Sequence, residues 1–156
     1  MHNNKYIRFI FYLSIPIVLC SVFSRYFTVG INLTDSLPGR VFIIHKGINP
    51  SVKGELIAFI APNNKLHDEP FLKLVGGIEG DVVKEQSRKF YINGNYIGFA
   101  KEYSKRGEKT ELGFTGVIPK DCYFVYSNHK DSYDSKYKNI GLVCGADVIG
   151  SATPML

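Results

Sequence analysis

"KFYINGNYIGFA", Lys89 to Ala100, is the stretch on which the fold turns. Asn93-Gly94 suits the two positive-φ positions of a type I′ turn, and a strand-forming run lies on each side, so a tight antiparallel hairpin is predicted. The same texture extends in both directions. "RVFIIHK" (40–46), "ELIAFIA" (55–61), "FLKLVGG" (71–77), "DVVKE" (81–85), "CYFVYS" (122–127) and "DVIGSA" (147–152) are short β-rich runs between Gly, Pro, Asn and Asp. Beyond residue 30 no helix-length 3.6 periodicity occurs, so the body reads as mainly β. "KEYSKRGEKTELG", 101–113, is charged and punctuated by glycine, and reads as a solvated loop or a mobile insertion.

The N-terminal region is different. "FIFYLSIPIVLCSVFS", Phe9 to Ser24, is sixteen residues without a charge. As a helix it spans roughly 24 Å, short of a hydrocarbon core of about 30 Å unless its flanks contribute. Lys5, Arg8 and Arg25 can snorkel, while Tyr12, Tyr26 and Phe27 suit the interfaces. Pro16 is tolerable in a membrane helix. A cleaved secretory signal is the rival, but no clear small-x-small site follows, and Leu19 spoils a lipoprotein box at Cys20. The expected organisation is a cytoplasmic N-terminus (1–8), a membrane anchor (9–27) and an extracytoplasmic domain (28–156). Lys5 and Arg8 precede the span whereas only Arg25 follows closely, which sets that orientation.

The 156 residues carry 19 basic and 14 acidic side chains, a net charge of +5. Three of the positives flank the anchor, which leaves 16 basic against 14 acidic, little support for a nucleic-acid partner. Of three cysteines Cys20 lies in the anchor; Cys122 and Cys144 either form one disulfide or stand as separate buried thiols. His45, His67 and His129 lack metal-ligand spacing and no Gly-x-Ser-x-Gly elbow occurs, so neither metal nor cofactor is expected.

Two segments could carry chemistry. In "NLTDSLPGRVF", 32–42, Ser36 reads as a nucleophile or as a turn residue. In "PFLKLVGGIEGD", 70–81, Lys73 is the only charge from Pro70 to Ile78. It is either a solvent-facing edge-strand lysine or a buried one whose pKa falls well below about 10.4, free to act as a base.

Together these segments resemble the membrane-anchored signal peptidases with a Ser-Lys dyad, and within them the TraF-type conjugative transfer peptidases. Four blocks stand in the family's order: "NLTDSLPGRVF", "VKGELIAFIAP", "FLKLVGGIEGDVV", and "VIPKDCYFVYSNHKDSYDSKYKNIG" followed by "DVIGSATP". Pro38 two positions after Ser36 and the small body place the chain nearer the TraF type. The resemblance implies a coiled antiparallel β-sheet domain behind one N-terminal transmembrane helix, held in the cell inner membrane with its catalytic domain in the periplasm. It implies Ser36 as nucleophile, Lys73 as general base, and Thr34 with the Ser36 N–H as oxyanion donors. Ser132 would orient the lysine, and Asp134 would pair with Lys136 or another cation. The implied activity is cleavage of secreted precursors after small residues, maturing or cyclising a conjugative pilin. Two departures are the Gly39-Arg40 order after Pro38 and Lys136 where the family has Arg. From the residues alone, Thr34 also reads as a turn cap, and Ser132 and Asp134 as ordinary turn residues. Two other functions compete: a catalytically silent membrane-tethered assembly factor, and a self-cleaving repressor-type protease, against which the apolar segment argues.

Overall fold

The structure, a computed structural model, describes residues 3–32, 37–62 and 69–155. It opens with helix α1 (Asn3–Tyr26). Among the described residues eleven strands follow: β1 (Phe27–Ile31), β2 (Val41–Lys46), β3 (Leu56–Phe59), β4 (Phe71–Gly77), β5 (Val82–Gln86), β6 (Lys89–Ile92), β7 (Asn95–Phe99), β8 (Gly116–Val117), β9 (Cys122–Tyr126), β10 (Val143–Cys144) and β11 (Val148–Pro154). They form a seven-stranded sheet in the order β1-β2-β11-β3-β4-β9-β10 and a four-stranded sheet in the order β7-β6-β5-β8. All pairings are antiparallel, so the mainly β expectation holds.

The predicted hairpin is present. Ile92 faces Asn95 across the turn, and Asn93 and Gly94 take φ of 49° and 84°. Its sheet packs one hydrophobic cluster around Val83, Phe90 and Ile92, while Ile57, Phe59 and Val75 of the larger sheet centre a second. β9 serves both, because successive side chains point to opposite faces of a strand. Tyr123 and Val125 enter the cluster around Phe59, whereas Cys122 and Phe124 enter the one around Phe90.

α1 begins earlier than the anchor read from sequence and ends at Tyr26, one residue sooner. Phe27 leaves the helix because it starts the β1–β2 ladder, opposite His45. Its ring also stacks on Phe23 at 5.0 Å and meets the His45 ring at 5.3 Å. Arg8–Tyr26, with a mean hydropathy of 1.6 and no part buried in the protein, is long and apolar enough to cross a membrane by length and composition. The hydroxyls of Ser14 and Ser24 donate to the carbonyls of Phe11 and Ser21, so these polar groups are satisfied within the helix. At its far end Lys46 Nζ donates to the Ser24 carbonyl at 2.9 Å, where a cation complements the helix dipole.

Cys122 and Cys144 are bonded to each other, which settles the alternatives left open above. They sit directly opposite on β9 and β10 with Cα atoms 4.1 Å apart. The bond closes a sequence separation of 22 residues around the loop that carries Ser132 and Asp134. By loop-closure entropy this contributes about 3 kcal/mol. Replacing both cysteines by alanine in the full chain should lower the unfolding free energy measured in urea by a matching amount, and dithiothreitol should then have no further effect.

Candidate active site

Lys73 lies in β4, which is an interior strand between β3 and β9, with Ile57 directly opposite. Only 6% of the residue is exposed. The edge-strand alternative is therefore excluded: no solvent-facing edge exists at this position. Burial among apolar groups pushes the Lys73 ammonium below the usual lysine range, the Asp134 carboxylate pulls it partly back, and the Lys136 charge pushes it down again.

The lysine lines a cleft of about 840 Å³. One wall is β1, from Thr28 to Ile31, continued by Asn32; another is Phe71 and Leu72 beside Lys73; a third is the loop bearing His129, Asp131, Ser132 and Tyr133. The β1 wall was missed in the sequence because "FTVGI" directly continues the apolar segment. His129 also lines this cleft, with its Nδ1 accepting the Asp131 N–H at 3.2 Å. His45, by contrast, contacts Thr153 at 3.3 Å. His67 lies outside the described residues.

Ser132 is 5% exposed, and its Oγ has no hydrogen-bond partner among the described residues. A buried hydroxyl without a partner is costly, and Ser132 lines the same cleft as Lys73. Asp134 is fully buried and pairs with Lys136 Nζ at 2.6 Å; it also accepts the Lys136 N–H at 3.2 Å. Ser135 pins the loop to β9. Its Oγ accepts the Val125 N–H at 2.8 Å and its own N–H donates to the Val125 carbonyl at 3.0 Å.

Thr34 and Ser36 lie outside the described residues. The chain on either side of them is described. Asn32 N–H donates to the Arg40 carbonyl at 2.8 Å, and Asn32 Nδ2 donates to the carbonyls of Leu37 at 3.3 Å and Gly39 at 3.5 Å. Gly39 has φ of 98°, a left-handed conformation that a side chain disfavours. The Gly39-Arg40 order therefore has a local cause: glycine falls where the returning chain needs it, and Arg40 is exposed.

The family model described as "Signal peptidase, peptidase S26" matches residues 3–156. The chain belongs to that family. It is 27% identical over 106 residues to Signal peptidase I P of Bacillus subtilis subsp. natto, covering 63% of this chain and 55% of the relative. It is 30% identical over 115 residues to Signal peptidase I of Leptolyngbya laminosa, covering 67% of this chain and 52% of that one. The chain thus spans about half the length of these relatives. A crystal structure of a signal peptidase I from Enterococcus faecalis aligns with a TM-score of 0.45 at 27% identity, over 69% of this chain and 100% of that one.

Burial of Lys73 has a thermodynamic consequence. Its folded-state pKa is depressed, so the unfolded chain binds a proton that the folded chain gives up. Lys73 therefore costs stability fully below its folded pKa, and the cost fades as pH rises to about 10.4. Lys73→Met should abolish any activity that needs the amine while raising stability at pH 7. Thermal unfolding at pH 7 and pH 10 checks this, the gain being smaller at pH 10.

Proposed function

We propose that the protein is a membrane-anchored serine endopeptidase in which Ser36 and Lys73 form a Ser-Lys dyad. The observation that carries this reading is Lys73 itself, a buried amine shifted toward its neutral form and facing a cleft whose β1 wall leads into the Ser36 segment. Ser36 immediately precedes Leu37, whose carbonyl is held by Asn32 of that wall.

The neutral Lys73 Nζ takes the proton from Ser36 Oγ as the oxygen attacks the scissile carbonyl. The tetrahedral oxyanion is met by the Ser36 N–H and the Thr34 hydroxyl. Lys73 then passes its proton to the departing amine, leaving an acyl-enzyme that water, or an amine of the same substrate, resolves. A positioned base of this kind contributes about 10²–10⁴-fold, and one oxyanion donor roughly 3 kcal/mol. Ser132 orients the lysine, and the Asp134–Lys136 pair holds the loop on which Ser132 is carried.

The substrate is a secreted precursor cut after a small residue, and the resemblance to TraF-type enzymes makes a conjugative pilin the leading candidate. Resolution by the pilin's own amine would yield a cyclic subunit. In this reading α1 places residues 1–8 in the cytoplasm and the β body on the far side of the inner membrane, where the Cys122–Cys144 bond would persist. A silent assembly factor is the competing function, and nothing in such a role calls for a desolvated amine in a cleft.

Co-expression with a pilin precursor, read by mass spectrometry, tests the proposal. Ser36→Ala and Lys73→Ala should each reduce processing by at least about 10²-fold, whereas His129→Ala should retain most of it. Processing unchanged in both dyad variants would leave the assembly-factor role standing.

A further inference from the structure

The segment 101–113 is exposed over most of its length, as read, and it is also internally paired. Residues 103 and 109 pair as an antiparallel bridge. Ser104 N–H donates to Glu108 at 2.8 Å and Thr110 N–H to Glu102 at 2.9 Å, closing a small hairpin. Arg88 clamps its base: Nε donates to the Ala100 carbonyl, and Nη2 to the Lys101 carbonyl and Thr110 Oγ1, each at 2.7 Å.

The outer side of this hairpin is fastened to the loop that bears Ser132, Asp134 and Lys136. Gly113 N–H donates to the Lys136 carbonyl at 2.8 Å, and the backbones approach so closely that a Cβ on Gly113 would stand 2.0 Å from the Ser135 oxygen. Lys101 N–H donates to the Tyr137 hydroxyl at 3.0 Å, and Lys138 pairs with Glu111. Nearest the cleft, Lys101 Nζ pairs with Asp131, whose other oxygen lies 3.8 Å from Lys105 Nζ. The Asp131 side chain is only 17% exposed, and the next residue is Ser132.

We propose that the 101–111 hairpin is a positioning brace for the active-site loop, and that the Lys101–Asp131 ion pair is the tie through which it holds Ser132 against Lys73. This rests on the dyad reading above. Asp131 and Lys101 act through Ser132 and touch neither the substrate nor the reacting atoms. The Lys101 hydrogen bond keeps the Asp131 carboxyl below the usual carboxylate range, so the tie is intact at neutral pH. Loss of the tie lets the 129–133 segment move off the cleft wall and admits water to Lys73. Among the described residues, the charged or titratable groups facing Lys73 are Asp134 and Lys136 on the loop, with Glu69, Lys105, His129, Asp131 and Tyr133 around the cleft. Since burial outweighs Asp134 and Lys136 in setting the lysine, hydration moves it back up.

The test uses the full chain in detergent with Asp131→Asn, Lys101→Met and their double variant. Each single variant should lower kcat on a precursor by roughly 10-fold with KM changed by less than about 2-fold, and the double should be no worse than either single. The acid limb of the pH profile should move up by about one unit. Competitive chemical labelling of Lys73 Nζ, which needs no turnover, should report the same upward shift. Additive losses, an unmoved acid limb, or an unchanged Lys73 titration would overturn the brace. Absence of Ser36-dependent cleavage in the unmodified protein would instead count against the dyad, while labelling would still decide the brace.

Discussion

The desolvation of one amine organises this molecule. Lys73 occupies an interior strand, so water cannot surround its ammonium form, and its two nearest ionic neighbours act against each other. Asp134 favours the charged lysine and Lys136 disfavours it. Because those two groups are themselves joined at 2.6 Å, Lys73 faces a short dipole rather than a bare carboxylate, and burial is left to decide its state. Without Lys136 the pull of Asp134 toward the ammonium form would meet no opposing charge, only the burial of the amine. The buried ion pair is therefore better understood as a device that keeps Asp134 electrically quiet than as a source of stability, in keeping with the small net value of such pairs.

The architecture serves that arrangement. β9 lies beside β4 and sends alternate side chains into both hydrophobic clusters, and Tyr133 packs against both as well. The loop that leaves β9 and returns as β10 is thus fixed at its start by two cores and at its end by the Cys122–Cys144 bond. Ser135 adds a third fixed point midway, through its two hydrogen bonds to Val125. Ser132, Asp134 and Lys136 lie in a span that cannot drift far at either end.

Much of this was legible in the sequence, for identifiable reasons. Asn93-Gly94 declared its turn because few dipeptides accept two positive φ angles. Lys73 stood out as the sole charge in an apolar run, and only the pairing of β4 with β3 and β9 could tell an interior strand from an edge. The strands that escaped notice were those without a pattern to read. β8 and β10 are two residues each, too short for any periodicity, and β1 is apolar in continuation of the helix before it. The brace was illegible for a different reason: its charges look like solvated ones until Lys101 and Asp131, thirty residues apart, are seen paired. Ser36 and Thr34 were singled out by resemblance and lie outside the described residues.

No residue separates α1 from β1: Tyr26 ends the helix and Phe27 already pairs with His45. Lys46 adds a second joint by reaching back to the Ser24 carbonyl. Helix and sheet are consequently geared together. Each residue added to or removed from an α-helix turns whatever is fixed to its end by about 100° and shifts it by about 1.5 Å. The number of residues in α1, as distinct from their hydrophobicity, therefore sets the compass bearing of the cleft about the helix axis. A single alanine inserted before Ser24 would leave the cleft chemically intact and facing another way.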